Sequence, residues 1–204
     1  MKLYDWKNSY NSRKIRAVAF ETDTAVECVE MNMQAGDHKK ADYMAKNPNG
    51  KVPMLEDGNF TLWESDAICL YLAGRDPSHR LLPTEARQRA RVDQWLFWKT
   101  AHLVPSLQKV AYERFWKKRF NLGECDEAAV AAAMPDVDRF MKVLDGSLAK
   151  AEYIAGDLSV ADFCLAAVFN NRSDIGLDIS SYPNVVSWLG RVESRPSWKN
   201  TASW

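Results

Sequence analysis

The stretch NPNGKVPMLEDG, Asn47 to Gly58, surrounds a very short apolar run with turn-formers and places a proline directly after a valine. Proline has no N–H and fixes its own φ, so a strand that opens at Val52-Pro53 lacks a ladder donor at its first step. Two readings fit: an ordinary edge strand, or a backbone bend that turns a peptide group toward a ligand. Hydroxyls mark further candidate points. Ser12, in the polar loop NSYNS, and Ser65, in LWESDAI, both stand where a helix N-cap is expected. Asp162 follows Ser159 by three residues in GDLSVADF, the spacing at which its carboxylate reaches back to the Ser159 N–H. It therefore reads as a cap and not as an acid catalyst. The four cysteines, Cys28, Cys69, Cys125 and Cys164, are scattered, without C-x-x-C and without metal-like histidine spacing. No metal site is expected, and the thiols read as reduced, mostly core groups.

The elements that must position these residues follow from the pattern around them. KLYDW is expected to open the fold as a strand, and a helix capped at Ser12 carries Ile15, Val18 and Ala19 on one side. AVECVEM has the β-branched character of a second strand. Residues 32–46 are polar and irregular, with one helical turn near Ala41 to Lys46. PMLE and FTLW form a hairpin about an Asp57-Gly58 turn, and SDAICLYLAG is a helix capped by Ser65 and ended by Gly74. That order, β-α-β, an irregular segment, then β-β-α, fills about 75 residues, enough for a small domain.

RDPSHRLLPT reads as a linker, and beyond it the apolar spacing becomes helical. Pro105 and Pro135 are expected to bend or break helices there. The helix after Ser159 is apolar almost all round, so it is expected at the centre of its domain. The expected division is 1–76 and 86–204. The chain's 204 residues include 27 Lys and Arg against 27 Asp and Glu, a balance that argues against a nucleic-acid or anionic-membrane partner. No export signal and no run approaching a membrane span are evident, so a cytoplasmic location is expected.

Taken in order, SYNSRKIR, GDHKK, NPNGKVP, LWESDAI and GDLSVADF resemble a glutathione S-transferase over essentially the whole chain, closest to the Ser-type classes that include phi, theta, tau and zeta. The resemblance implies a thioredoxin-like α/β N-terminal domain followed by an all-α C-terminal domain, acting as a homodimer. It implies no cofactor, with glutathione as substrate and a small hydrophobic electrophile as its partner. In the family the residue matching Pro53 is a cis-proline. The bend leaves the Val52 N–H and C=O to pair with the cysteinyl peptide of glutathione, like a short added strand. Ser65 at a helix N-terminus then holds the γ-glutamyl carboxylate, and Glu64 meets its ammonium. His38 and Lys39, with Lys51 nearby, match the residues at the glycyl carboxylate; for Lys39 and Lys40 a solvated charge run is the alternative.

The thiol makes the largest demand. A free thiol near pKa 8.5 is mostly protonated at pH 7, and lowering that value by about two units takes about 2.7 kcal/mol of differential stabilisation. The resemblance places the catalytic hydroxyl at Ser9, with Ser12 as the helix cap and the alternative donor. Thiol-transferase-like members carry cysteine where Ser9 stands, and Tyr4 does not match the register of tyrosine-type classes, so conjugation-type chemistry is favoured over thiol transfer. Two departures stand out: Tyr10 replaces a common proline, and Asn49 replaces a bulkier residue. The second substrate is expected between the small domain and the long helix, where Arg91, Trp95, Trp98 and His102 share a stripe, with Tyr10 and Ser12 opposite. Core or subunit-interface packing is the competing reading for these aromatics. The same scaffold also suits a specialised dehalogenase, isomerase, peroxidase or ether-cleaving enzyme, or a non-catalytic glutathione- or hydrophobe-binding protein.

Overall fold

The computed structural model describes residues 1–202, so the expected segment 86–204 ends two positions beyond the described residues. Two compact units divide the chain: Met1–Arg89 together with the described residues from Glu193 onward, and Ala90–Val192.

In the first unit β1 (Lys2–Asp5) pairs in parallel with β2 (Glu27–Glu30), and helix α1 (Tyr10–Glu21) makes the crossover. After the short α2 (Ala41–Lys46), β3 (Met54–Asp57) runs antiparallel to β1, and β4 (Phe60–Trp63) antiparallel to β3. The sheet order is β2-β1-β3-β4, with α3 (Ser65–Arg75) following the last strand. This is the expected thioredoxin-like arrangement.

Period-two alternation sends neighbouring residues of β3 into different cores. Leu55 opposes Leu3 of β1, and both are fully buried, as are Ile15 and Val18 of α1 and Ile68 and Leu72 of α3. Each such side chain contributes about 1.5–3 kcal/mol by leaving water. Met54 instead joins Met31 and Tyr43, with Tyr4, Met33 and Val52 packed against them. The hairpin turn falls one residue later than expected. Asp57 pairs with Phe60, so Gly58 and Asn59 make the turn, and Gly58 has the positive φ that glycine takes without strain. Gly74 lies inside α3, which ends at Arg75 rather than at the glycine.

The second unit takes most of α4 (Ala86–Trp98) and continues through α5 (Val104–Ala111), α6 (Lys117–Phe120), α7 (Glu127–Leu148), α8 (Val160–Ala166) and much of α9 (Pro183–Ser194). A last short helix, α10 (Pro196–Lys199), belongs to the first unit. Strands are absent among the described residues of the second unit apart from isolated bridges, as the expected all-α class requires. π-helical stretches at Lys99–Leu103 and Tyr112–Trp116 interrupt the run from α4 to α6. Pro105 follows the first of them, at the start of α5, so the helical run bulges where the proline removes a backbone donor and continues beyond it. Pro135 does not break its helix: α7 runs through it. The buried stripe Val130, Ala133, Val137, Met141, Leu144 and Leu148 holds α7 against the roughly 3 kcal/mol that an interior proline costs.

Every residue of α8 is buried. Its capping box forms as expected, and Asp162 does more than close it. Oδ2 accepts from the Ser159 N–H (2.9 Å) and hydroxyl (3.1 Å), while Oδ1 accepts from the Ile154 N–H and the Trp188 indole N–H, both at 2.9 Å. Among the described residues no helix is long and apolar enough to cross a membrane.

Candidate functional site

The first turn of α1 corrects the expected cap. Ser9, not Ser12, is the N-cap: its backbone is extended (φ −81°, ψ 117°), and its Oγ accepts the Ser12 N–H at 3.3 Å. Its carbonyl accepts from the N–H groups of Ser12 and Arg13 at 3.1 and 2.9 Å. Ser12 lies inside the helix with its hydroxyl fully buried and unpartnered. Ser9 is half-buried. Because its oxygen acts as the acceptor in the cap, its hydroxyl hydrogen remains able to donate outward, at the positive end of a helix.

The N-terminus of α3 lies beside that turn. Glu64, not Ser65, is the residue before the helix, and it holds φ 72°, an uncommon conformation for a non-glycine residue that costs about 1–3 kcal/mol. Ser65 is the first helical residue, so its own N–H is one of the free donors of the helix end. Its hydroxyl donates to Asn11 Oδ1 at 3.3 Å. A second link joins the two helices, from buried Lys14 to Asp66 at 2.5 Å. The hydroxyl of α1 and the anion-ready end of α3 are thus braced against each other by residues that neither motif flagged.

The Val52–Pro53 peptide bond is cis. Val52 is half-buried and lies outside the ladder, whose first paired residue on β3 is Met54. The carbonyl before it is fixed: Lys51 O accepts from the Tyr43 hydroxyl at 2.6 Å and the Asn47 side-chain amide at 2.8 Å. Burial pushes the Tyr43 hydroxyl up to about 12, so it stays a donor. Lys51 itself is exposed.

Gly50 sits at φ +54°. A β-carbon there would come within 2.7 Å of Met44 Sδ, 2.9 Å of Lys39 Nζ and 3.2 Å of the His38 carbonyl oxygen. The glycine therefore lets the His38–Lys39 segment close on the loop that leads to Val52. Burial, and then the Lys39 charge, lowers the His38 pKa, so its ring is neutral at pH 7. Lys40 is held by Asp37 at 2.7 Å, a surface pair, whereas Lys39 is an exposed cation beside Gly50, as is Lys51 on its other side.

Tyr4 is no rival for the thiol. Its hydroxyl donates to Glu56 at 2.7 Å, and that bond raises its pKa. In the second unit Trp95 is 8% exposed and meets Trp98 edge-on at 5.0 Å. Trp98 meets Phe140 at 6.1 Å, and His102 stacks on Phe140 at 5.3 Å. Trp95 thus takes the core reading. Arg91 and His102 are exposed, Trp98 is half-buried, and so is Tyr10 of the first unit.

Residues 1–74 match the family model for the glutathione S-transferase N-terminal domain, and residues 97–196 match that for its C-terminal domain. The chain belongs to the glutathione S-transferase family. A probable glutathione S-transferase of Oryza sativa subsp. japonica is 32% identical to it, over 100% of this chain and 96% of the relative. Glutathione S-transferase I from maize, solved in complex with an atrazine–glutathione conjugate, is similar with a TM-score of 0.89 at 27% identity, covering 98% of this chain and 95% of that one. The theta class glutathione S-transferase of Xanthomonas axonopodis pv. citri, solved with glutathione bound, reaches 0.88 at 28% identity, over 98% and 96%.

In this glutathione S-transferase chain, direct contacts join α1 to the start of α3, and the His38–Lys39 segment approaches Gly50 so closely that a β-carbon there would collide with it. Sequence reasoning missed Asn11, Lys14, Asp66, Tyr43, Asn47 and Gly50. A glycine between Asn49 and Lys51 was the one local signal available, as a position open to positive φ.

Proposed function

We propose that this chain is a Ser-type glutathione transferase in which Ser9 donates to the glutathione sulfur and stabilises it as thiolate for attack on a hydrophobic electrophile. The observation that carries the reading is the Ser9 cap. Its oxygen is engaged as an acceptor while the hydrogen stays available, at a helix N-terminus that favours negative charge. Ser12, buried within the turn, is the weaker candidate. Val52 beside Pro53 offers its peptide group to the cysteinyl residue, and Glu64 and Ser65 take the γ-glutamyl end. Lys39, with Lys51 and His38, takes the glycyl carboxylate. Candidates for contacting the electrophile are, in the first unit, Tyr10 and, in the second unit taken by itself, Arg91, Trp98 and His102, with Trp95 as packing support for Trp98. A homodimer and a cytoplasmic location belong to the same reading. The two solved relatives that hold glutathione or its conjugate support the substrate class.

The test is turnover of glutathione with a panel of aryl halides, epoxides, alkyl halides and organic peroxides. Turnover of at least one class that falls about tenfold or more in Ser9→Ala supports the proposal. Glutathione binding with no turnover of any class would make the protein a binder on this scaffold.

A further inference from the structure

The first turn of α1 carries Ser9 but has little of its own to steady it. It contains no acidic residue, and the Ser12 hydroxyl inside it makes no hydrogen bond. Besides the Asn11–Ser65 and Lys14–Asp66 links to α3, support comes from the far end of the chain. Arg13, whose N–H closes the turn on the Ser9 carbonyl, lays its guanidinium over the Trp198 ring, 4.4 Å from the centroid, and donates to the Trp198 carbonyl at 3.0 Å. One turn on, Arg16 pairs with Asp5 at the end of β1 and donates to the carbonyls of Lys7 (3.4 Å) and Thr201 (3.1 Å). Glu21 closes the helix by accepting from Arg195 Nε and Nη2, at 2.7 and 2.9 Å, and from the Ser197 hydroxyl at 2.5 Å. The segment from Arg195 to Thr201 therefore grips α1 at three levels, and its anchor, Trp198, is 2% exposed.

We propose that Arg13 and Trp198 are positioning residues for Ser9, so that the C-terminal segment is a working part of the thiol site. The inference rests on the reading of Ser9 as the donor. A hydrogen bond weakens steeply once its angle departs from linear, and small displacements of a catalytic group carry large rate penalties. Arg13 is one helical turn from Ser9 and bonded to it through the backbone, so its hold on Trp198 fixes the direction in which the Ser9 hydroxyl points. A planar guanidinium on an indole face constrains orientation as well as distance, which a flexible ammonium does not.

The test compares Arg13→Met, Trp198→Leu, Trp198→Phe, Ser9→Ala and the Ser9→Ala/Arg13→Met double variant. The readouts are the pH profile of kcat/KM, KM for glutathione and the thermal midpoint. Arg13→Met and Trp198→Leu are expected to raise the apparent pKa of the bound thiol by about half a unit to one unit, which lowers kcat/KM near neutral pH about three- to tenfold. KM for glutathione should change by less than about twofold, since the remote contacts remain. Trp198→Phe, which keeps an aromatic face, should recover part of the loss. In the Ser9→Ala background, Arg13→Met should move the thiol pKa no further. If Ser9→Ala shifts the pKa but Arg13→Met lowers only the thermal midpoint, the segment is a structural clamp and the inference is overturned. If Ser9→Ala leaves the pKa in place, the reading of Ser9 has failed and this inference falls with it. Arg13 is half-buried, so its variant carries the test even if Trp198→Leu does not fold.

Discussion

Replacing Asp162 by Ala removes four acceptor contacts at once from the middle of the second unit. The backbone N–H groups of Ile154 and Ser159, the indole N–H of Trp188 and the Ser159 hydroxyl would all lose this acceptor. Ser159 and Trp188 are buried, with Trp188 fully so, and each buried donor left without an acceptor costs about 1–3 kcal/mol. Burial holds the carboxyl above its usual range, so removing it recovers part of that desolvation. The net expectation is a loss of about 3–5 kcal/mol, in the range seen when buried polar networks are broken. Asp162→Asn should cost less, about 1.5–3 kcal/mol, because its carbonyl oxygen can still serve one pair of donors. Urea unfolding followed by tryptophan fluorescence measures both. A loss below about 1 kcal/mol for Asp162→Ala would show that the four contacts do not hold α8 in place.

The remaining predictions concern the site and the acid limb. Ser65→Ala should raise KM for glutathione about fivefold or more with a smaller change in kcat, since a γ-glutamyl carboxylate is remote from the sulfur; an unchanged KM would put that carboxylate elsewhere. Gly50→Ala forces a β-carbon into positive φ and toward the His38 carbonyl, so it should cost about 1–2 kcal/mol of stability and raise KM for glutathione; wild-type behaviour in both would refute the close approach. The Ser78 hydroxyl, with further help from the Ser78 N–H and Arg80, lowers the Asp76 pKa to about 2. A depressed carboxylate stabilises the fold above its ordinary titration and loses that contribution as pH falls from about 4 toward 2. Asp76→Asn should therefore show a shallower acid unfolding profile over that window, and an identical slope would contradict the assignment.

Much of this was legible because it was local. The Ser159–Asp162 spacing specifies its own capping box, and the alternation of β3 specifies which residues turn inward. The helix starts are not fixed by the local sequence, for a physical reason. Ser9, Ser12 and Asn11 are all competent near a cap, and the first apolar residue, Ile15, left the start open by a turn. At α3 the serine looked like the cap, but Glu64 takes that place in a backbone conformation that no side-chain preference announces. Pro135 signals only a local cost along the sequence, whereas the stripe on α7 decides the outcome. What could not be read were pairings between distant positions, Lys14 with Asp66 and Arg13 with Trp198, since neither partner signals the other along the chain.

The central claim is that Ser9 ionises the bound thiol, and the apparent pKa of enzyme-bound glutathione, titrated by thiolate ultraviolet absorbance, tests it most directly. A charge-assisted hydrogen bond of about 1.5–3 kcal/mol corresponds to about one to two pKa units, so Ser9→Ala should raise the thiol pKa by that amount while glutathione still binds. Ser12→Ala deletes a buried hydroxyl that has no partner, so it should leave the thiol pKa unchanged and stability equal or slightly higher. A shift in Ser12→Ala together with none in Ser9→Ala would contradict the account and move the donor one turn into the helix.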